Sequence, residues 1–181
     1  MIVYRDIITG DEVLSDAFPL RQVVDSEGNV VEGLMYCESK NIVKNSDDVD
    51  VGCGNAFGSG GEEDDGGVDN TAQTVNNVID GFQYTETQIG GANDFKAWIK
   101  DYMNAVVTKL REKGKPKEEI QAFKAQAPNI AKYFLKNFSD LQFYLGPSFN
   151  SESMVFSLYP EGSLTPNFYY IMGGVDAEKF Q

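Results

Sequence analysis

The chain has 181 residues and carries 15 Lys and Arg against 28 Asp and Glu, for a formal net charge of -13. Apolar residues make up 41% of it and aromatic residues 12%, enough to build a buried core and to exclude global disorder. There is no histidine, which removes Ser-His-Asp and Cys-His catalysis and imidazole ligation of zinc, haem or copper, and leaves carboxylates, Lys, Tyr and Cys as the only candidates for chemistry.

Residues 1–8, MIVYRDII, place Ile2 and Tyr4 on one side and Val3 and Arg5 on the other before a Thr-Gly-Asp turn, the pattern of a strand. Residues 22–25 and 30–35 flank Ser-Glu-Gly-Asn, whose Gly and Asn tolerate positive φ, so a β-hairpin is expected over 22–38. Residues 45–70 then hold eight acids (Asp47, Asp48, Asp50, Glu62, Glu63, Asp64, Asp65 and Asp69), seven glycines and no Lys or Arg. Such a composition cannot offset chain entropy by burying apolar surface, and it reads as a mobile acidic loop inserted into a single domain spanning 1–181. Its glycines match neither GxGxxG nor GxxxxGK[ST], and its acids miss the EF-hand spacing, so calcium bound there would be held irregularly and weakly. Residues 71–87 mix Thr, Val, Ile, Phe and Tyr, the composition of one or two further strands.

From Asn93 the period changes. Asn93 or Asp94 can cap a helix in which Phe95, Trp98, Ile99, Tyr102, Val106 and Leu110 recur at helical spacing until Gly114. A second helix is expected from Pro116 through Ile120, Phe123, Ile130, Phe134 and Phe138, with Pro128 kinking or interrupting it. The two form an antiparallel hairpin over 93–138 that carries ten Lys and Arg against five acids, a basic element on an acidic body. Trp98 and Tyr102 fall on its apolar stripe and read as core rather than as a stacking platform for bases, and the net charge argues against nucleic acid. Strands follow at 141–145, 154–159 and 167–172. Strands, two helices and strands again, without βαβ alternation, specify an α+β domain with an antiparallel or mixed sheet and argue against a Rossmann fold.

No apolar run approaches the roughly 20 residues of a membrane span, and MIVYRD meets charge too early for a signal core, so a cytoplasmic protein is expected. Cys37 and Cys53 lack metal-ligand spacing and are expected as free thiols.

Several stretches, taken in order, resemble the translationally controlled tumour protein family, also called histamine-releasing factor or fortilin. They are MIVYRDIITGDEVLSDAF at the start, Gly54-Asn55-Ala56 in the acidic stretch, WIKDYMNAVVTKL in the first helix and FSDLQFYLG with SMVFSLY near the end. Departures, such as Asp50 where many members carry a phosphorylatable serine and Pro147 where a glutamate is common, mark a divergent member. The resemblance implies a β-tent-like core similar to the Rab-chaperone fold, with a protruding helical hairpin and a mobile loop. It implies a non-enzymatic cytosolic binding protein, monomeric with a dimer as the alternative, that requires no cofactor, binds calcium weakly and is in some members secreted without a signal peptide. The activities attributed to the family are exchange-factor or nucleotide-free binding toward the small GTPase Rheb, microtubule association, anti-apoptotic action and growth control.

By this resemblance Glu12, in GDEVLSD, falls on the glutamate implicated in GTPase engagement, with Asp11 and Asp16 extending an acidic face. Its carboxylate would replace lost phosphate charge beside a cationic phosphate-loop lysine. The competing assignment is a cytoskeletal protein that holds the acidic tails of tubulin with Lys96, Lys100, Lys109, Arg111 and Lys113. Solvated surface charge is the plain alternative for each of these residues.

Overall fold

The computed structural model describes residues 1–45 and 72–179. The acidic stretch beyond Asn45, with Cys53, therefore lies outside the described residues. The chain opens with β1 (Ile2–Asp6), β2 (Glu12–Ser15), β3 (Arg21–Val24), β4 (Val30–Glu38) and β5 (Asn41–Asn45), and resumes with β6 (Ala72–Asn76), α1 (Asn77–Phe82) and β7 (Thr85–Thr87). The hairpin helices α2 (Ala92–Glu112) and α3 (Lys117–Lys136) follow, then β8 (Gln142–Leu145), β9 (Val155–Leu158), β10 (Asn167–Ile171) and β11 (Val175–Lys179).

Among the described residues every strand pair is antiparallel. The largest sheet has the order β3-β4-β10-β9-β8-β7, a second has β11-β1-β2, and β5 and β6 form a two-stranded ribbon. This is the α+β, antiparallel architecture that the strand-helix-strand order predicts.

Strand alternation builds two cores on the two faces of the large sheet. Phe143, Phe156, Tyr169 and Ile171 face Phe95, Ile99, Val106, Phe123 and Phe134 of the helical hairpin. Their neighbours Tyr144, Val155, Phe168 and Tyr170 face the other way, where Val13 and Leu14 of β2 and Val78 of α1 cover them. Buried on both faces, β9 has four consecutive buried residues and so reads as a continuous run rather than an alternation. At the end of β10 the glycines Gly173 and Gly174 let the hairpin approach, because a methyl group on either would overlap the ring of Phe123 or the hydroxyl of Tyr102.

Three local features differ from the sequence expectations. Residues 77–82 form a helix where strands were expected. The Asn76 carboxamide oxygen caps it by accepting from the Val78 and Ile79 N–H groups at 2.9 and 3.2 Å, and a fully buried Val78 anchors it, so capping and packing override the β-branched composition. The first hairpin helix starts at Ala92, after Gly91, so neither Asn93 nor Asp94 is its cap, and Asp94 lies in the first turn. It ends as expected at Gly114, which has φ +72 and donates to Arg111 O while Lys115 N donates to Leu110 O, the paired bonds of a Schellman motif. Finally, α3 runs unbroken across Pro128, which is exposed, so that water can take up the Lys124 carbonyl that loses its helical donor.

Candidate functional site: an acidic strand edge and a basic interhelical groove

Glu12 opens β2, an edge strand of the three-stranded sheet. Its carboxylate is fixed by Arg5 on the neighbouring β1, whose Nη2 lies 3.2 Å from Glu12 Oε1. The same guanidinium binds Glu178 of β11 through Nε at 2.6 Å and donates to Gly10 O at 3.3 Å, so one cation ties three strands and the turn between two of them. The Glu12 side chain nevertheless keeps 51% of its surface exposed. This carboxylate has a set orientation and an open face.

The two other acids of this stretch differ from it. Asp11 is turned to the loop between β8 and β9, where its Oδ2 accepts from Ser148 N at 3.2 Å and from Ser148 Oγ at 2.7 Å, and it packs against Gly146. It holds that loop in place rather than standing free. Asp16 is exposed in the turn after β2, its backbone N–H donating to Ile2 O. Two further contacts pin the same loop: Trp98 Nε1 donates to Ser151 O at 2.7 Å, and Ser153 Oγ donates to the buried carboxylate of Asp6. Trp98 also stacks on Tyr102 at 5.2 Å between ring centroids. It is stacked on Phe95 as well, and packs, partly buried, against the hairpin core.

The basic residues of the hairpin divide into three sets. Lys96, Lys100 and Arg111 line a groove of about 610 Å³ between α2 and α3, joined there by Lys124 of α3. Lys109 pairs with Glu112 at 3.6 Å on the same helix. Lys113, with Lys115, clamps Asp176 of β11 at 2.8 and 3.4 Å. Partial burial alone would raise the pKa of Asp176, but the Lys113 hydrogen bond and the charges of Lys113 and Lys115 outweigh it and hold the carboxyl below its ordinary range. Lys113 is therefore engaged in tying the hairpin to the sheet, whereas the groove cations have no ion-pair partner among the described residues.

Arg5 and Lys124 escape a reading by sequence position. Arg5 is seven residues from Glu12, and only the β1–β2 pairing brings them together. Lys124 joins the α2 cations because the hairpin is antiparallel. Cys37 is a free thiol, wholly buried on β4, and burial pushes its pKa up to about 12, which makes it inert as a nucleophile in the folded protein. Among the described residues no cluster of three or more Cys, Asp or Glu could hold a metal ion, and no helix is long and apolar enough to cross a membrane.

Comparison with known proteins agrees with this architecture. The family description "Translationally controlled tumour protein" matches residues 1–176. Among solved structures, the translationally controlled tumor-associated protein p23fyp from Schizosaccharomyces pombe is 28% identical, with a TM-score of 0.73 over 99% of this chain and 100% of that one. The translationally-controlled tumor protein from Caenorhabditis elegans is 22% identical and shares the fold, with a TM-score of 0.63 over 100% of both chains. With the family match running across both sheets and the helical hairpin, this chain belongs to the translationally controlled tumour protein family.

Proposed function

We propose that the protein is a non-enzymatic binding protein that engages a Rheb-like small GTPase, in an exchange-factor or nucleotide-free chaperone role tied to growth control and cell survival. The observation that carries this reading is the Arg5–Glu12 pair: a carboxylate oriented by a guanidinium, half exposed, on a strand that forms the sheet edge among the described residues. Such a group can take the place of phosphate charge beside a phosphate-loop lysine, and its fixed orientation reduces the entropy lost on binding. Asp16 extends the acidic edge, and Asp11 supports it by fixing the loop that carries Ser148. Weak calcium binding belongs to the same reading and is assigned to no residue.

Replacing Glu12 by Val tests it. The side chain is exposed and Arg5 keeps Glu178, so stability should stay within about 0.5 kcal/mol of wild type. Affinity for a nucleotide-free Rheb-like GTPase, measured by titration, should fall about tenfold or more, as expected for a lost charge-assisted contact. Unchanged affinity would take Glu12 out of the interface.

The groove cations favour a second reading, a microtubule-binding protein. Lys96, Lys100 and Arg111 have no ion-pair partner among the described residues, which favours their use by the acidic tails of tubulin. Co-sedimentation should then weaken steeply with salt and be lost when all three become Gln. Salt-insensitive sedimentation would exclude it.

A further inference from the structure

The groove between α2 and α3 has a floor that charge alone does not explain. Met103 and Val107 of α2 face Phe123, Ala127, Ala131 and Leu135 of α3 across it. Ala127 and Ala131, one helical turn apart, are what open the trough, since larger side chains there would close the gap between the helices. From Ile99 to Arg111 it runs about 18 Å along the helix axis. Its volume of about 610 Å³ falls within the range of small-molecule sites, which also favour the space between helices.

One end of the trough is chemically distinct. Arg111 and Lys124 line a second concavity of about 340 Å³ that continues from the first and adds Lys115 and Lys117. Among the described residues no carboxylate lines it, and of its four cations only Lys115 has an ion-pair partner there, sharing Asp176 with Lys113. An apolar trough thus ends in a cradle of positive charge on a protein whose net charge is -13.

We propose that this groove binds a free single-chain anionic amphiphile: a phosphate-headed lipid with one acyl chain of the lauroyl to myristoyl class. The chain lies over Met103, Val107, Ala127 and Ala131, and the phosphate sits among Arg111, Lys115, Lys117 and Lys124. Charge complementarity selects the anionic head, with a guanidinium able to bind phosphate oxygens through two parallel hydrogen bonds. The apolar floor selects the tail, because an acidic peptide tail would satisfy the cations and leave the trough wet. The site goes beyond both functional readings above, and it shares Arg111 with the tubulin reading.

The test is a calorimetric titration of the full chain with monomeric myristoyl lysophosphatidate, kept below its micellar concentration. Saturable one-to-one binding is expected, with the zwitterionic phosphocholine analogue at least about tenfold weaker, as for a lost charge-assisted contact. Ala127→Phe fills the trough without altering charge and should cost about tenfold or more. Arg111→Gln combined with Lys124→Gln, both exposed, should do the same and flatten the salt dependence. A cooperative thermal melt qualifies each variant as folded, and Ala131→Leu replaces Ala127→Phe if that protein fails to fold. Ala127→Phe should leave tubulin co-sedimentation intact, so failure of this proposal and failure of the tubulin reading are separable. Absence of saturable binding, equal affinity for the phosphocholine analogue, indifference to the trough variant, or binding to anionic vesicles alone would each overturn the proposal.

Discussion

Replacing Phe95 by Ala should destabilise the protein by about 4 kcal/mol, the cost of a large aromatic side chain removed from a core that cannot collapse around the gap. Phe95 is wholly buried, and its ring centroid lies 5.6 to 6.4 Å from those of Trp98, Phe134, Phe138, Phe143 and Phe156. These neighbours come from α2, α3, the turn after α3, β8 and β9. One side chain therefore joins both hairpin helices to the large sheet. For a chain of this length the loss corresponds to a fall in Tm of about 8–16 °C. Urea unfolding gives the free energy, and calorimetry the shift. Because Phe95 is stacked on Trp98, which in turn stacks on Tyr102, the near-ultraviolet signal of the tryptophan should weaken as well. A loss below about 2 kcal/mol would mean that the hairpin can settle inward and that the aromatic cluster is not the rigid junction described here.

This cluster also shows what a linear reading of the chain can reach. Phe95, Ile99 and Val106 on α2, and Phe123, Ile130 and Phe134 on α3, recur at helical spacing, and that periodicity is a local property, so the two hairpin helices and their buried stripes were legible from the residue pattern alone. The same holds for the β3–β4 hairpin, whose turn is closed by Asp25 accepting from the Glu27 and Asn29 N–H groups within a few residues. Elements that depend on distant partners were not legible. β11 has the sequence VDAEK, without apolar alternation, and is a strand because β1 pairs with it from Ile2↔Lys179 to Asp6↔Val175. β2 is four residues long and joins β1 across a register shift between Tyr4 and Arg5. For α1, the single Asn76 cap outweighed a composition that favours strand.

Site residues divide in the same way. The positive charge of the hairpin was visible as a count, but a count cannot distinguish Lys113, bound to Asp176 some sixty residues later, from Arg111, which has no such partner among the described residues. Nor can it find the trough, whose decisive residues are two alanines that attract no notice in a list of motifs. The acidic edge was legible through GDEVLSD as a resemblance, whereas the division of labour within it is a matter of tertiary contact: Glu12 faces solvent beside Arg5, while Asp11 reaches across 137 positions to Ser148. Exposure and partnership decide which charges are available, and both are set by the fold rather than by neighbours in the chain.

Asp6 gives the clearest pH signature. It is the buried acid at the end of β1: its Oδ1 accepts from Ile8 N at 2.7 Å and Thr9 N at 3.2 Å, and its Oδ2 accepts from Ser153 Oγ. Burial raises its pKa above 3.8, Ser153 and the two N–H groups oppose the rise without cancelling it, and the charge of Asp11 adds to it. The folded state thus holds this proton more tightly than the unfolded chain. As pH climbs past 3.8 the unfolded chain loses the proton first, so the Asp6 contribution to stability is fully present below that value and declines up to the raised folded pKa, above which it is flat. Asp6→Asn keeps an acceptor for the two N–H groups, presents an amide donor to Ser153 Oγ, and cannot titrate. Measured by urea unfolding from pH 4 to pH 7.5, the stability of Asp6→Asn relative to wild type should therefore rise with pH through this window. Asp6→Ala, which strips the partner from three polar groups, should instead lose about 3 kcal/mol at neutral pH. Asp176 acts with the opposite sign, since its lowered pKa favours the fold above 3.8 and that contribution fades as the pH falls through its folded value. Subtracting the Asp6→Asn curve from that of wild type removes the Asp176 contribution, which both proteins share, and isolates the buried carboxyl. A flat difference across the window would show that Asp6 titrates as an ordinary surface acid, and would leave the Ile8, Thr9 and Ser153 contacts as its whole role.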